Sequence, residues 1–421
     1  MEAALLLLSL TLGGQNPKTA VDLGPPIIST NSVIGYLERP VDDAIARLQK
    51  QLDTGQARLT YDAERWGYLP GLLKQLGINT DSQLLVFSKT SFQAPKITPK
   101  TPRAVFFNDT VSIGSVQDGA VLEITALDPK QGIVFYSLDV HESAAPKFKR
   151  ENQNCLVCHQ GEASLLVPGL MISSVLPGPD GTPAPPGVGD LLVDHRTPFE
   201  DRWGGWYVTG THGTLTHRGN AIAPDPARPG DLETENTLNL TRLDGKLDVS
   251  RYLEPTSDLV ALMTLEHQCR MSSLITRAGW QARAMDSTAT SSRQLDALVE
   301  ELVAYMLFAD EAPLSEPIMG VSSFTHTFPK RGPRDRQGRS LRDFDLSKRL
   351  FKYPLSYMIY SEAFDALPPR ALDRIYKSLF DILTNHEAGS RYRGLNAADR
   401  QSILEIVRET KTNLPAYWDA P

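Results

Sequence analysis

Three cysteines stand in 421 residues, and two of them fall within one five-residue run, Cys155-Leu-Val-Cys158-His159. So few cysteines exclude a disulfide-stapled scaffold, and the fold must rest on an apolar core. The chain can build one. It is 41% hydrophobic and 22% charged, values of an ordinary globular protein that exclude wholesale disorder, collagen and coiled coil. Its length suits two or three domains, or one large domain with insertions. With 43 Lys+Arg against 50 Asp+Glu the net charge is −7, which argues against a general nucleic-acid binder.

Residues 3–12, AALLLLSLTL, form an apolar run followed by Gly13 and Gly14. It is too short to span a bilayer and has the length of an export-signal core, although no basic residue precedes it. An N-terminal core segment is the competing reading. No later stretch is apolar for long enough to cross a membrane, so no transmembrane segment is expected in the mature chain. Residues 40–55 and the stretch after Pro70 read as helices. The runs 84–92, 104–116, 120–127 and 132–140 are β-branched and aromatic, broken by turn residues, and predict an antiparallel meander. Residues 177–190 are a Pro/Gly-rich loop. From about 256 the spacing predicts helices, with two more near 369–385 and 397–410. The expected class is α+β, with antiparallel strands before the cysteine pair and a helical C-terminal part. The expected divisions are an export signal at 1–14, helices and meander at 15–145, a cysteine-pair segment at 146–250, and helices at 251–421.

The spacing C-x-x-C-H is that of c-type haem attachment. Two thiols one helical turn apart reach the two haem vinyl groups, and the adjoining imidazole reaches the iron. A thioredoxin-like pair would need a βαβ setting, and the meander does not supply one. A zinc site would need a further C-x-x-C or a pair of histidines to complete it. A disulfide across two residues would be strained. Cys155 and Cys158 are therefore expected to form thioethers to one covalent haem c, with His159 as the proximal iron ligand.

With that motif the chain resembles a bacterial c-type cytochrome with a single haem, which implies a cytochrome-c-like haem segment between the strands and the C-terminal helices. The wider context, FFNDTVSIGS, NCLVCHQGEA and HRTPFEDRWGGWYVTGTHG, is similar to a group of large bacterial proteins that carry a cytochrome-c domain. The resemblance implies single-electron transfer, a redox partner protein, and maturation in the periplasm or elsewhere outside the cytoplasm. A haem enzyme of peroxidase or oxygenase type and a haem-based sensor are the alternatives. The motif sits much further along the chain than in small cytochromes.

The sixth iron ligand is open in the sequence. His267 shares a helical stripe with Val260, Met263, Met271 and Leu274, which suits either a core histidine or a distal ligand. Cys269 is expected to be a free buried thiol. Met171, soon after His159, reads as a core residue. His195, His212 and His217 lie within 23 positions of one another among Trp203, Trp206, Arg196 and Arg202. His212 is the other candidate distal ligand, and a hairpin with a polar network is the plainer account. Between Lys330 and Lys352 nine Lys/Arg face three Asp, a solvated loop or a surface for an acidic partner.

Overall fold

Asp43 starts the first long helix. Its carboxylate accepts from the backbone N–H groups of Ile45 and Ala46, which would otherwise lack partners at a helix start. In the computed structural model, which describes residues 27–225, 227–286, 288–384 and 389–419, this helix α1 runs Ala44–Asp53, and α2, with Pro70 in its first turn, runs Leu69–Gln75. The meander follows as β1 (Leu84–Val86), β2 (Arg103–Phe107), β3 (Val111–Ser115), β4 (Val121–Asp128), β5 (Gly132–Asp139) and β6 (Lys149–Arg150). All of its pairings are antiparallel. The 104–116 run is two strands, because Asn108 Oδ1 accepts from the Thr110 and Val111 N–H groups and turns the chain.

Alternation divides the sheet's side chains between two cores. Phe106, Ile113, Ile124, Val134 and Leu138 pack with Ile45, Leu48 and Leu72 of α1 and α2. Phe107, Leu127, Ile133 and Phe135 face the C-terminal helices. The latter are led by α4 (Leu259–Ala284) and α5 (Ala289–Met306), with further helices at Pro369–Thr384 and Ala397–Thr410. Between them and the meander stands α3, Gln153–His159, which carries the cysteine pair. The hairpin of β7 (Ile172–Ser174) and β8 (Leu191–Val193) forms a second, two-stranded sheet. Strand β9 (Trp206–Tyr207) then pairs with β1 and completes a seven-stranded sheet of order β6-β5-β4-β3-β2-β1-β9.

The fold is α+β, with an antiparallel sheet and a helical C-terminal region. The segment after the motif differs from a helical cytochrome domain. Between His159 and Leu259 the described residues contain no α-helix, only loops, 3₁₀ turns and β7–β9. The expected export signal, 1–14, lies outside the described residues. Among those residues no helix is long and apolar enough to cross a membrane.

Helix α4 departs from the expected single stripe. Twenty-three of its 26 residues are buried, Glu266, Gln268, Ser272 and Arg277 among them. A helix enclosed on every side cannot show one apolar face, and its polar residues must find partners within the protein. Asp258 caps it through the Val260 and Ala261 N–H groups. The glycines of the Trp-rich segment serve backbone contact: a Cβ on Gly204 would come within 2.0 Å of the Val175 carbonyl oxygen.

Candidate functional site

Helix α3 has only seven residues and no side-chain cap, so packing must hold it. Leu156 provides the anchor, entering a small core of Ile34, Tyr36, Val167 and Trp280. Residues 27–36 bind the same region, with Ser29 Oγ donating to Gln160 Oε1 at 3.0 Å and Tyr36 donating to the Ile133 carbonyl at 2.7 Å. Cys155 is half-buried, Cys158 is exposed, and Val157 between them is 65% exposed. Both thiols are free.

His159 is fixed at several points. Its carbonyl accepts from the Gly169 N–H at 2.9 Å and from Ser164 Oγ at 3.1 Å. Its ring lies 5.0 Å from the Phe135 ring, centroid to centroid. Nδ1 is 3.0 Å from the Gly169 carbonyl oxygen. A carbonyl only accepts, so the proton sits on Nδ1 and Nε2 keeps its lone pair. Among the described residues Nε2 has no hydrogen-bond partner. Burial lowers the pKa of His159 below 6.5, which favours the neutral form that ligates metals. The loop that closes on His159 carries Leu165 and Leu166 in the left-handed region, at φ 61° and 63°. Such strain costs about 1–3 kcal/mol per residue and persists only where packing imposes it. Here Arg277 Nη1 holds the Leu165 carbonyl at 2.9 Å.

Gly169 has no room for a side chain. A Cβ there would meet Ser273 Oγ at 2.6 Å and Ser164 Cβ at 2.9 Å. Gly169→Ala should therefore destabilise the protein by about 1–3 kcal/mol, read as a lowered urea midpoint. An unchanged midpoint would show that the His159 loop adjusts freely.

The thiol environment bears on the rival chemistries. Burial, followed by the Glu151 and Glu123 carboxylates, pushes Cys155 up to about 11. A redox-active first cysteine needs a lowered pKa, so a thioredoxin-like role is disfavoured. Among the described residues no three His, Cys, Asp or Glu side chains gather to hold a metal ion by themselves. The residues do suit a covalently attached haem: two free thiols one turn apart, and an adjacent imidazole with Nε2 bare.

The other candidate histidines lie elsewhere, and no hydrogen bond or ring contact joins them to His159 among the described residues. His267 Nδ1 is 2.9 Å from His195 Nδ1, and its Nε2 is 2.8 Å from Ser356 Oγ. Both of its ring nitrogens are engaged. His212 Nε2 accepts from the Asn239 N–H at 3.0 Å, so its proton is on Nδ1, where it finds no partner. His212 and His217 pack together at 4.9 Å between ring centroids. The sequence cluster is thus split, with His195 stacked on Tyr305 and the other two beside Phe199.

Around these histidines runs a buried ionic network that the sequence reading missed. Arg202 pairs with Glu266, which also accepts from Trp203 Nε1 at 3.0 Å. Glu301 pairs with Arg196 and with Arg391. The basic strip is likewise paired internally. Arg334 meets Asp343, Arg336 meets Glu409, Arg339 meets Asp335 and Glu405, Arg342 meets Asp109, and Arg349 meets Asp399. The Glu409, Glu405, Asp109 and Asp399 pairs tie the strip to other parts of the chain, with Arg339, Arg342 and Arg349 mostly buried and Arg336 exposed. Comparison of the chain with protein-family models, with curated proteins and with solved structures finds no match.

Proposed function

We propose that this chain is a single-haem c-type cytochrome that transfers single electrons outside the cytoplasm to a partner protein. The observation that carries the reading is the state of the motif: two free thiols and a His159 imidazole whose Nε2 is left bare by the Nδ1–Gly169 bond. Cys155 and Cys158 would hold the haem and His159 would ligate its iron. The bound group would supply reversible one-electron chemistry at iron, with a potential tuned by its ligands and surroundings.

The chain's own residues have defined tasks in this reading. Each thiol would add to one vinyl group, its proton ending on carbon, so attachment would consume no oxidant. The Gly169 carbonyl holds the imidazole in the ligating tautomer and raises its basicity. Exposed Val157 and Cys158 bring the attachment point to the surface, where a partner can approach. In this protein the helix that would carry the haem is wedged between strand β5, through Phe135 on the His159 ring, and helix α4, through Trp280 against Leu156. Of the side chains that could have walled a peroxidase pocket, Arg196 is bonded to Glu301, Arg202 and Trp203 to Glu266, and Trp206 to the Ser173 carbonyl, which favours the carrier over the enzyme.

The test is co-expression with a haem-maturation system, followed by denaturing electrophoresis and haem staining. A stained band at the chain's mass is expected, and Cys155→Ala with Cys158→Ala should remove it. Staining that persists in the double variant, or none in the wild type, would overturn the assignment.

A further inference from the structure

We propose that the Arg103–Glu123 ion pair sets the reduction potential of the haem held by Cys155, Cys158 and His159, an inference that rests on the single-haem reading above. The pair joins β2 to β4 across Gly114 of β3. Arg103 Nη1 donates to Glu123 Oε2 at 2.8 Å, and the two side chains are only 19% and 15% exposed. Gly114 stands between Val105 and Glu123 in the strand register. A Cβ on it would lie 3.5 Å from Arg103 Cδ and 3.4 Å from Glu123 Cβ. The two arms thus meet over a position that has no side chain of its own.

The pair lies on the side of the sheet that carries the His159 contact. Opposed residues of antiparallel strands share a face, as do alternate residues of one strand. Glu123 stands opposite Ser137, and Thr125 opposite Phe135. Glu123 is therefore the diagonal neighbour of Phe135, a spacing of about 7–8 Å, and Phe135 packs on the His159 ring. Of the charges nearby, Arg103 and Glu123 are the two that act on the imidazole, with opposite signs. The other charges beside the motif form a pair of their own: Lys149 meets Glu151, which also accepts from Ser137 Oγ at 2.8 Å.

A half-buried ion pair gains little net stability, because desolvation offsets its attraction. Stability alone gives little reason for one on this face, among Val105, Phe107 and Phe135. The carboxylate is fixed in place, with Ser91 Oγ at 2.5 Å and Gln93 Nε2 at 2.8 Å on its other oxygen. The guanidinium is not saturated: its Nε is buried without a partner. Where water is excluded, fixed charges act on their surroundings with little screening. Ferric haem carries one positive charge more than ferrous haem, so Arg103 favours the reduced state and Glu123 the oxidised one. In the intact pair the two offset each other. Neither residue gives up a proton or makes a bond in the one-electron step.

The experiment is a spectroelectrochemical titration at pH 7.5 of the haem-loaded wild type, Arg103→Gln, Glu123→Gln and the double variant. Haem staining and far-ultraviolet circular dichroism are run on the same samples. Arg103→Gln should lower the potential and Glu123→Gln should raise it. Each shift should change the ratio of reduced to oxidised haem about tenfold, or ~59 mV for one electron. The double variant should return close to the wild type, and Arg103→Lys, which keeps the charge, should hold the wild-type value. A purely structural pair would move both single variants in the same direction, or neither. Either result would overturn the assignment and leave the single-haem reading intact. Where one single variant does not fold, the sign of the shift in the other decides. A wild type without covalent haem would remove both readings, and the staining identifies that case separately.

Discussion

Replacing Glu266 by Ala is expected to destabilise the protein by about 3–5 kcal/mol. The carboxylate is fully buried on α4. It receives the Arg202 guanidinium on one oxygen and the Trp203 indole N–H at 3.0 Å on the other. Arg202 is itself only 1% exposed. Burial pushes the carboxyl up, and Arg202 and Trp203 pull it back down. Removing the carboxylate leaves the buried Arg202 cation, still bonded to the Thr197 and His195 carbonyls, without its counter-charge, and the Trp203 indole N–H without an acceptor. Much of the expected cost is therefore the penalty on the surviving partners rather than the net worth of the pair.

Two further variants separate these contributions. Glu266→Gln keeps an acceptor for Trp203 and should cost less than the alanine variant. Replacing Glu266 and Arg202 together by Met should recover much of the loss, since neither charge then remains alone. Urea unfolding of the four proteins measures this. A Glu266→Ala midpoint equal to that of the wild type would mean the pair adds nothing to stability. With net stabilities of about 5–15 kcal/mol typical of proteins, the predicted cost is a substantial share of the whole.

Why this pair escaped sequence reading is instructive beside what did not. Helices expected at 369–385 and 397–410 lie at Pro369–Thr384 and Ala397–Thr410, because caps and periodic apolar residues act within a few positions. The meander was legible for the same reason. The Asn108 turn was missed because a single side-chain acceptor decides it inside an otherwise continuous β-branched run. At the motif the proposed chemistry lies in five consecutive residues, so Cys155, Cys158 and His159 stand out as candidates from the sequence alone. Gly169, ten positions on, does not, since its role depends on a loop closing back on the imidazole. The His195–His267 and Arg202–Glu266 pairs join residues 72 and 64 positions apart. No local pattern encodes such a meeting. The stripe through His267 pointed to burial correctly but misjudged the helix, which is enclosed all round.

The same buried network, with His159, sets the response to acid. His159, His195, His212, His217 and His267 are all held below the ordinary 6.5 by burial, with His217 and His267 at about 3. In the unfolded chain each titrates near 6.5. Between pH 6.5 and 3 the unfolded state therefore binds protons that the folded state refuses, and these groups lose their stabilising effect as pH falls through that window. Two carboxyls act in the opposite sense. Burial pushes Glu266 and Glu311 up to about 7, so below that value the folded state binds their protons before the unfolded state does. Between pH 6.5 and 4.5 five histidines oppose two carboxyls, and a net of at most three protons favours unfolding. The slope is then roughly 4 kcal/mol per pH unit at most. Below 4.5 the carboxyls are protonated in both states and the histidines act unopposed. Urea midpoints taken at pH 7.5, 6.5, 5.5 and 4.5 should fall steadily with acidification. The double variant His195→Asn, His267→Gln should show a shallower fall from a lower starting point. Midpoints that stay level or rise between pH 6.5 and 4.5 would mean that the buried histidines take up protons in the folded state, and hence that water or a counter-charge reaches them.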